Sequence, residues 1–299
     1  MKRLVLIVAS VLSAATTGAA QQPAAIPPEY QQVLTTLNRQ GDYAANVLKV
    51  NIPRNDLSVI VAGVKTPTPF GFGGWVAMTK GTSGDVLMGD LVLTQDEVNP
   101  VMSALLDNGL EVTALHNHFF WDEPRIFFMH VHGMGTPAAL ATKLKPALAM
   151  IGKPATMPPP AAAPTSLGFD ADAIAKIVGH TGDTTGTVYK ITVGRDDLAL
   201  KDMGATLNAR MGLNTWAAFV GTDSNAAVAG DVAMLASEVQ PVLKALRQNG
   251  LQVVAIHQHM TTTQPTIYFL HYWGTGPAAR LATGFKAALN QLGKNGISN

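Results

Sequence analysis

The sequence predicts an α+β protein made of two tandem homologous repeats, each an antiparallel or mixed sheet with two to three helices. Three observations predict it. Sliding the 299-residue chain along itself, so that Gly89-Asp90 falls on Gly230-Asp231, aligns it with almost no gaps. Roughly a third of positions 32–152 then coincide, well above chance for a fixed period of this length. A tract carrying Pro154, Pro158, Pro159, Pro160 and Pro164 among alanines separates the two copies, the composition of a stiff, extended linker. Inside each copy, short β-branched and aromatic runs alternate with segments of helical period. The expected organisation is a leader at 1–20, a repeat domain at 29–152, a linker at 153–168 and a second repeat domain at 169–294.

The leader comes first. Lys2 and Arg3 precede an apolar run, and Gly18, Ala19 and Ala20 follow it. A basic end, a short apolar stretch and small residues make a secretory signal, expected to be cut near Ala20. The run is too short for a transmembrane anchor. A periplasmic or secreted product is therefore expected. In the first copy, 46–53 and 57–63 have strand character, and 75–80 and 86–93 have more of it. A helix is expected from Asp96 to about Asp107, capped by Thr94 with Glu97 three residues on, and stopped by Asn108-Gly109. Segments 110–119 and 125–132 read as paired strands. Leu140, Leu144, Leu148 and Ile151 then mark one apolar face of a closing helix over 137–151.

Composition excludes several functions. The chain is 47% apolar and only 14% charged, which is incompatible with disorder. Lys plus Arg number 21 against 20 Asp plus Glu, so no basic field exists for gripping nucleic acid. Cysteine is absent, which removes disulfides, thiolate zinc sites, iron–sulfur clusters and thiol nucleophiles.

The histidines carry the chemical signal. His116, His118 and His130 fall on His257, His259 and His271. Residues two apart on a strand share a face. An even register, with His118 opposite His130 and His116 opposite His132, puts four imidazoles within reach of one ion. Neutral imidazoles are natural ligands for a divalent transition metal such as zinc or copper. In the second copy Trp273 stands where His132 stands in the first, leaving three. Separately buried histidines, bonded to backbone, are the alternative. Arg54 and Arg195 are expected to pair with Asp56 and Asp197, or to reach an anionic ligand. Asp90 and Asp231 each follow a glycine, which suggests a bulge that turns a carboxylate inward. Glu97 and Glu238 read as helix-start residues that could also face a ligand. Trp75 and Trp216 read as core.

The runs Glu97-Val98-Asn99-Pro100, Asn108-Gly109-Leu110 through His116-Asn117-His118, and Pro124 through His130 resemble the LppY/LpqO family. So do Glu238-Val239-Gln240-Pro241, His257-Gln258-His259 and His271-Tyr272-Trp273-Gly274 in the second copy. The resemblance implies a secreted protein built on a domain of unknown function, and it assigns no activity. The expected function is binding of a transition metal, or of a small-molecule or cell-envelope ligand, at the histidine hairpin. A metal-dependent envelope hydrolase is the second expectation. A cell-wall-binding module with structural histidines is the third.

Overall fold

A computed structural model describes residues 25–152 and 166–293. The expected leader and most of the linker lie outside the described residues. The first repeat runs α1 (Pro28–Leu37), β1 (Asp42–Ala44), β2 (Val47–Pro53), β3 (Val59–Val61), β4 (Val64–Thr66), β5 (Gly73–Lys80), β6 (Asp85–Thr94), α2 (Gln95–Asp107), β7 (Glu111–His116), β8 (Asp122–Glu123), β9 (Ile126–Gly135) and α3 (Pro137–Leu148). The second follows as α4 (Ala171–Val178), β10 (Asp183–Thr185), β11 (Val188–Gly194), β12 (Lys201–Asp202), β13 (Ala205–Thr206), β14 (Asn214–Gly221), β15 (Ala226–Leu235), α5 (Ala236–Gln248), β16 (Gln252–His257), β17 (Ile267–Gly276) and α6 (Ala278–Leu289).

Each repeat is built on a six-stranded sheet, and the two orders correspond: β1-β2-β5-β6-β9-β7 and β10-β11-β14-β15-β17-β16, with β4-β3-β8 and β12-β13 as small separate sheets. Every pairing in both is antiparallel. The strands of one repeat begin at the positions aligned with those of the other: Gly73 with Asn214, Asp85 with Ala226, Ile126 with Ile267.

Strand alternation explains the layers. In β6, Leu87, Leu91 and Leu93 face a core with Tyr30 and Val33 of α1, Val98 and Val101 of α2, and Leu140 and Leu144 of α3. The opposite face of the same strand carries Val86, Met88, Asp90 and Val92, also largely shielded from water. Helices cover only one face, so the other needs a second partner. That partner is the other repeat. One shared core joins Phe70, Phe72, Phe119 and Phe128 to Ala218, Ala227, Ala229 and Trp273. The result is four layers, helices–sheet–sheet–helices. The first helix of each repeat was not anticipated from periodicity, although Tyr30, Val33 and Leu37 of α1 are its buried residues.

Gly89 and Gly230 do not form the expected bulges. Both sit in unbroken ladders, with Trp75 opposite Asp90 and Trp216 opposite Asp231. They are glycine because a Cβ on Gly230 would lie 2.3 Å from the Trp216 carbonyl oxygen, and one on Gly89 would lie 2.9 Å from that of Trp75. The bulges lie instead in the outer strands, between Val112 and Ala114 and between Val253 and Ala255.

Candidate metal centre

The bulge in β7 sets the histidine register. Beyond it Ala114 faces His130 and His116 faces Phe128. The chain then leaves the sheet. Asp122 and Glu123 pair with Val61 and Ile60 of β3 rather than closing a tight turn at Pro124. The register beyond the bulge is even, as expected, but displaced by four residues, with His130 opposite Ala114 rather than His118. His116 and His130 therefore share a face, with ring centroids 5.1 Å apart. The second repeat copies this: Ala255 faces His271, and His257 faces Phe269.

That face is the one buried against the other repeat, so the six equivalent histidines meet in a single cluster. His116 stacks on His257 at 3.8 Å, His118 on His271 at 3.6 Å and His130 on His259 at 3.9 Å between centroids. Every one of these three contacts crosses between repeats. Nε2 of His116 lies 3.1 Å from Nε2 of His271, and Nε2 of His257 lies 3.1 Å from Nε2 of His259. Among the described residues, three groups bring possible ligand atoms within 4.8 Å of one another. They are His116, His118 and His271; His116, His130 and His257; and Asp231, His257 and His259.

The sequence reading placed the third ligand inside the same hairpin. In the structure the first group takes its third ring from the other repeat. Neither could the sequence say that His132 stands apart. Its Nε2 lies 2.7 Å from Asp202 Oδ2 of the second repeat, and Asp202 Oδ1 accepts a hydrogen bond from Thr262 Oγ1 at 2.6 Å. His132 is an inter-repeat strut. Its counterpart Trp273 fills the matching place by packing edge-on against Phe70, centroids 5.9 Å apart.

Backbone carbonyls orient two of the rings. The Nδ1 of His130 lies 3.2 Å from the Gly89 oxygen, and that of His271 lies 3.3 Å from the Gly230 oxygen. An Nδ1–H donated to each carbonyl leaves the Nε2 lone pair facing the cluster. Elsewhere the cluster is short of partners. His116 Nδ1, both nitrogens of His118, His130 Nε2 and His257 Nδ1 are buried without a hydrogen bond. Burial first, then the neighbouring rings, push His118 and His259 well below the ordinary histidine range. His116, His257 and His271 shift the same way, and burial takes His130 to about 3. The rings are thus neutral at physiological pH, the form that ligates metal.

Asp90 and Asp231 do point inward, each beside the histidine of the neighbouring strand. Each has a buried Oδ1 with no partner. Burial raises both carboxyls, Asp231 to about 7. The Oδ2 of Asp231 lies 3.7 Å from His259 Nε2.

Arg54, Glu97, Arg195 and Glu238 belong to a different structure at the helix side of each sheet. Arg195 donates to Asp197 at 2.9 Å, to Glu238 at 2.8 Å and to the Ala233 carbonyl at 2.6 Å. Glu238 also accepts the backbone N–H groups of Leu235 and Gly293 at 2.8 and 2.6 Å. Arg54 repeats the pattern with Asp56, Glu97 and Val92. These guanidinium groups lock the first turn of α2 and α5 to the sheet, so the ion-pair expectation describes them better than a ligand role. Arg195→Met leaves the fully buried Glu238 carboxylate without its cation. We expect a loss of about 3–5 kcal/mol, read as a lower urea midpoint.

A cavity of about 530 Å³ adjoins the cluster, with walls from both repeats. His118, Asp231, His259 and His271 line its buried floor, and Asn51, Asp183 and Thr192 its exposed mouth. Lys49 and Trp75 from one repeat and Lys190 and Trp216 from the other form its sides. Both tryptophans were expected in the core. Their recurrence in both copies was visible, but an aromatic ring in a strand reads the same in a core as in a cavity wall.

Comparison with known proteins adds a family. Residues 31–150 and 172–291 each match the family described as Domain of Unknown Function (DUF1259). Two solved structures align over most of the chain. One is a trimeric bacterial microcompartment shell protein PduB, at 13% identity and a TM-score of 0.20, covering 84% of this chain and 90% of that one. The other is EtuB from Clostridium kluyveri, at 8% identity and a TM-score of 0.22, covering 85% and 89%. TM-scores this low carry no argument about fold or function. No curated protein matches the chain. The chain belongs to the DUF1259 family, whose domain it contains as two tandem repeats.

Proposed function

We propose that this two-repeat member of the DUF1259 family binds a divalent transition metal, zinc or copper, in the histidine cluster between its repeats. The observation that carries the reading is the convergence of six imidazoles, four buried and two half-buried, with five partnerless ring nitrogens. Buried polar atoms are normally satisfied, and a cluster that is not calls for an ion or water. Spacing supports an ion. Zinc holds nitrogen ligands at about 2.0–2.1 Å, which sets tetrahedral neighbours roughly 3.3 Å apart. The Nε2 pairs at 3.1 Å are close to that. Ligands from both repeats make the ion a clasp as well as a cofactor, since binding adds to the stability of the packed pair.

A hydrolase is the second reading, and the adjoining cavity favours it. An ion held by three protein ligands keeps a position for water, and the cavity gives a substrate access to the floor. Export to the periplasm or outside the cell is part of the same reading, supported by the leader pattern of residues 1–20 and the LppY/LpqO resemblance. N-terminal sequencing of exported material is expected to begin near Gln21, and a retained Met1 would contradict export with cleavage.

Elemental analysis of tag-free protein tests the metal reading. At least one zinc or copper ion per chain is expected to survive dialysis. Absence of bound metal, together with no uptake from zinc or copper salts, would remove the reading and leave structural histidines.

A further inference from the structure

Two lysines are turned into the cavity without an ion pair. Alternation in β2 sends Leu48 and Val50 toward the helices and Lys49 toward the other repeat; Tyr189 and Ile191 flank Lys190 in the same way in β11. Each ammonium lies over the tryptophan of its own repeat, at 4.7 Å from the Trp75 ring centroid and 4.1 Å from that of Trp216. Among the described residues, neither Nζ makes a hydrogen bond or an ion pair. Asp90 and Asp231 share the space and attract the lysines without direct contact, and burial raises both carboxyls toward their neutral form. The Oδ1 atoms of Asp90 and Asp231 have no hydrogen-bond partner at all. Asp183 sits across the strand pair from Lys190 without an ion pair to it. Arg210, the remaining cation of the lining, is already bonded to Asp42. Burial first, then repulsion from Lys49, lowers Lys190 to about 8.

Two like charges held near each other in a partly desolvated cavity are costly unless something of opposite charge lies between them. Aromatic faces offset only part of that cost. The lysines occupy equivalent positions in the two repeats, so they call for anionic oxygens at two ends. The volume suits a small organic molecule rather than a lone inorganic ion.

We propose that the cavity binds a small dicarboxylate, gripped by Lys49 of one repeat and Lys190 of the other, against the walls made by Trp75 and Trp216. This site goes beyond the metal reading and does not depend on it, because neither lysine belongs to the histidine groups.

Isothermal titration of the full mature chain with succinate tests the proposal. One sample is stripped with the uncharged chelator 1,10-phenanthroline, and a second is zinc-loaded. Succinamide is the neutral control and inorganic phosphate the competing anion. Saturable succinate binding is expected in the stripped protein, with none for succinamide. Lys49→Met and Lys190→Met should each weaken it at least tenfold while circular dichroism stays unchanged, and exposed Lys244→Met should not. Unchanged affinity in both cavity variants, equal binding of succinamide, or no saturable binding in either sample overturns the proposal. Phosphate binding in place of succinate overturns the dicarboxylate assignment. Metal content is measured on the same samples, so failure of the clamp and failure of the metal centre are separate results.

Discussion

Acidifying the metal-free protein from pH 7.5 to 5.5 is expected to remove roughly 5 kcal/mol of folding stability, a large part of what a typical domain has. The six clustered histidines have folded values below the ordinary 6.5, with burial as the leading cause in each. Below pH 6.5 the unfolded chain takes up protons that the folded chain refuses. Stability is therefore complete above 6.5 and falls as pH falls, by roughly 1 kcal/mol per pH unit for each ring. Asp90 and Asp231 act in the opposite sense. Their folded values are raised, so the folded state holds protons that the unfolded chain releases, and both return stability as pH falls, Asp231 from about 7 toward 4. Six protons against two leave a net of four, which gives the slope. Carboxylates with lowered values, such as Asp56 and Asp197, act only below that window. Thermal melts at half-unit pH steps measure it. A melting temperature flat from pH 7.5 to 5 would mean that the rings are hydrated rather than buried. Bound metal should flatten the same curve, because occupied nitrogens no longer compete for protons.

His116→Ala and His257→Ala are expected to have the largest effect on metal content of any single histidine change. Each belongs to two of the three ligand groups, and the two rings stack on each other at the centre of the cluster. Either truncation should cut bound metal by more than tenfold. His118→Ala removes a ligand from one group only and should cost less. His132→Ala should leave metal content unchanged and instead destabilise the contact between repeats, because it strands Asp202. Elemental analysis of the four variants separates the cases. Metal loss in His132→Ala equal to that in His116→Ala would restore the single-hairpin site and refute the inter-repeat one.

Much of the fold was legible. The self-alignment located both repeats and the equivalence of their strands, because identical turns and caps such as Asn108-Gly109 and Asn249-Gly250 punctuate both copies. The alternation of His116 and His118, and the even register to His130, put these rings on one face, where the structure brings them together. What was not legible has two physical causes. A bulge at Val112–Ala114 depends on how the outer strand meets its neighbour, and no residue in Val-Thr-Ala announces it. That bulge makes the register beyond it even, while the long connection that pairs Asp122 and Glu123 with β3 sets His130 opposite Ala114 rather than His118 and leaves His132 opposite Glu111. The second cause is that self-alignment says which residues correspond, not which residues meet. His118 corresponds to His259 but stacks on His271. One indication was available. Segment 86–93 is apolar on both faces of its strand, and helices can cover only one, so a second sheet had to lie against the other.

The central claim is that histidines from both repeats hold one ion between them. Crystals of zinc-loaded protein, with anomalous data collected on both sides of the zinc edge, test it most directly. The account places an anomalous peak within bonding distance of His116, His118 and His271, or of His116, His130 and His257. A peak held by histidines of one repeat alone, or no peak at the cluster in protein that carries stoichiometric zinc, would contradict it.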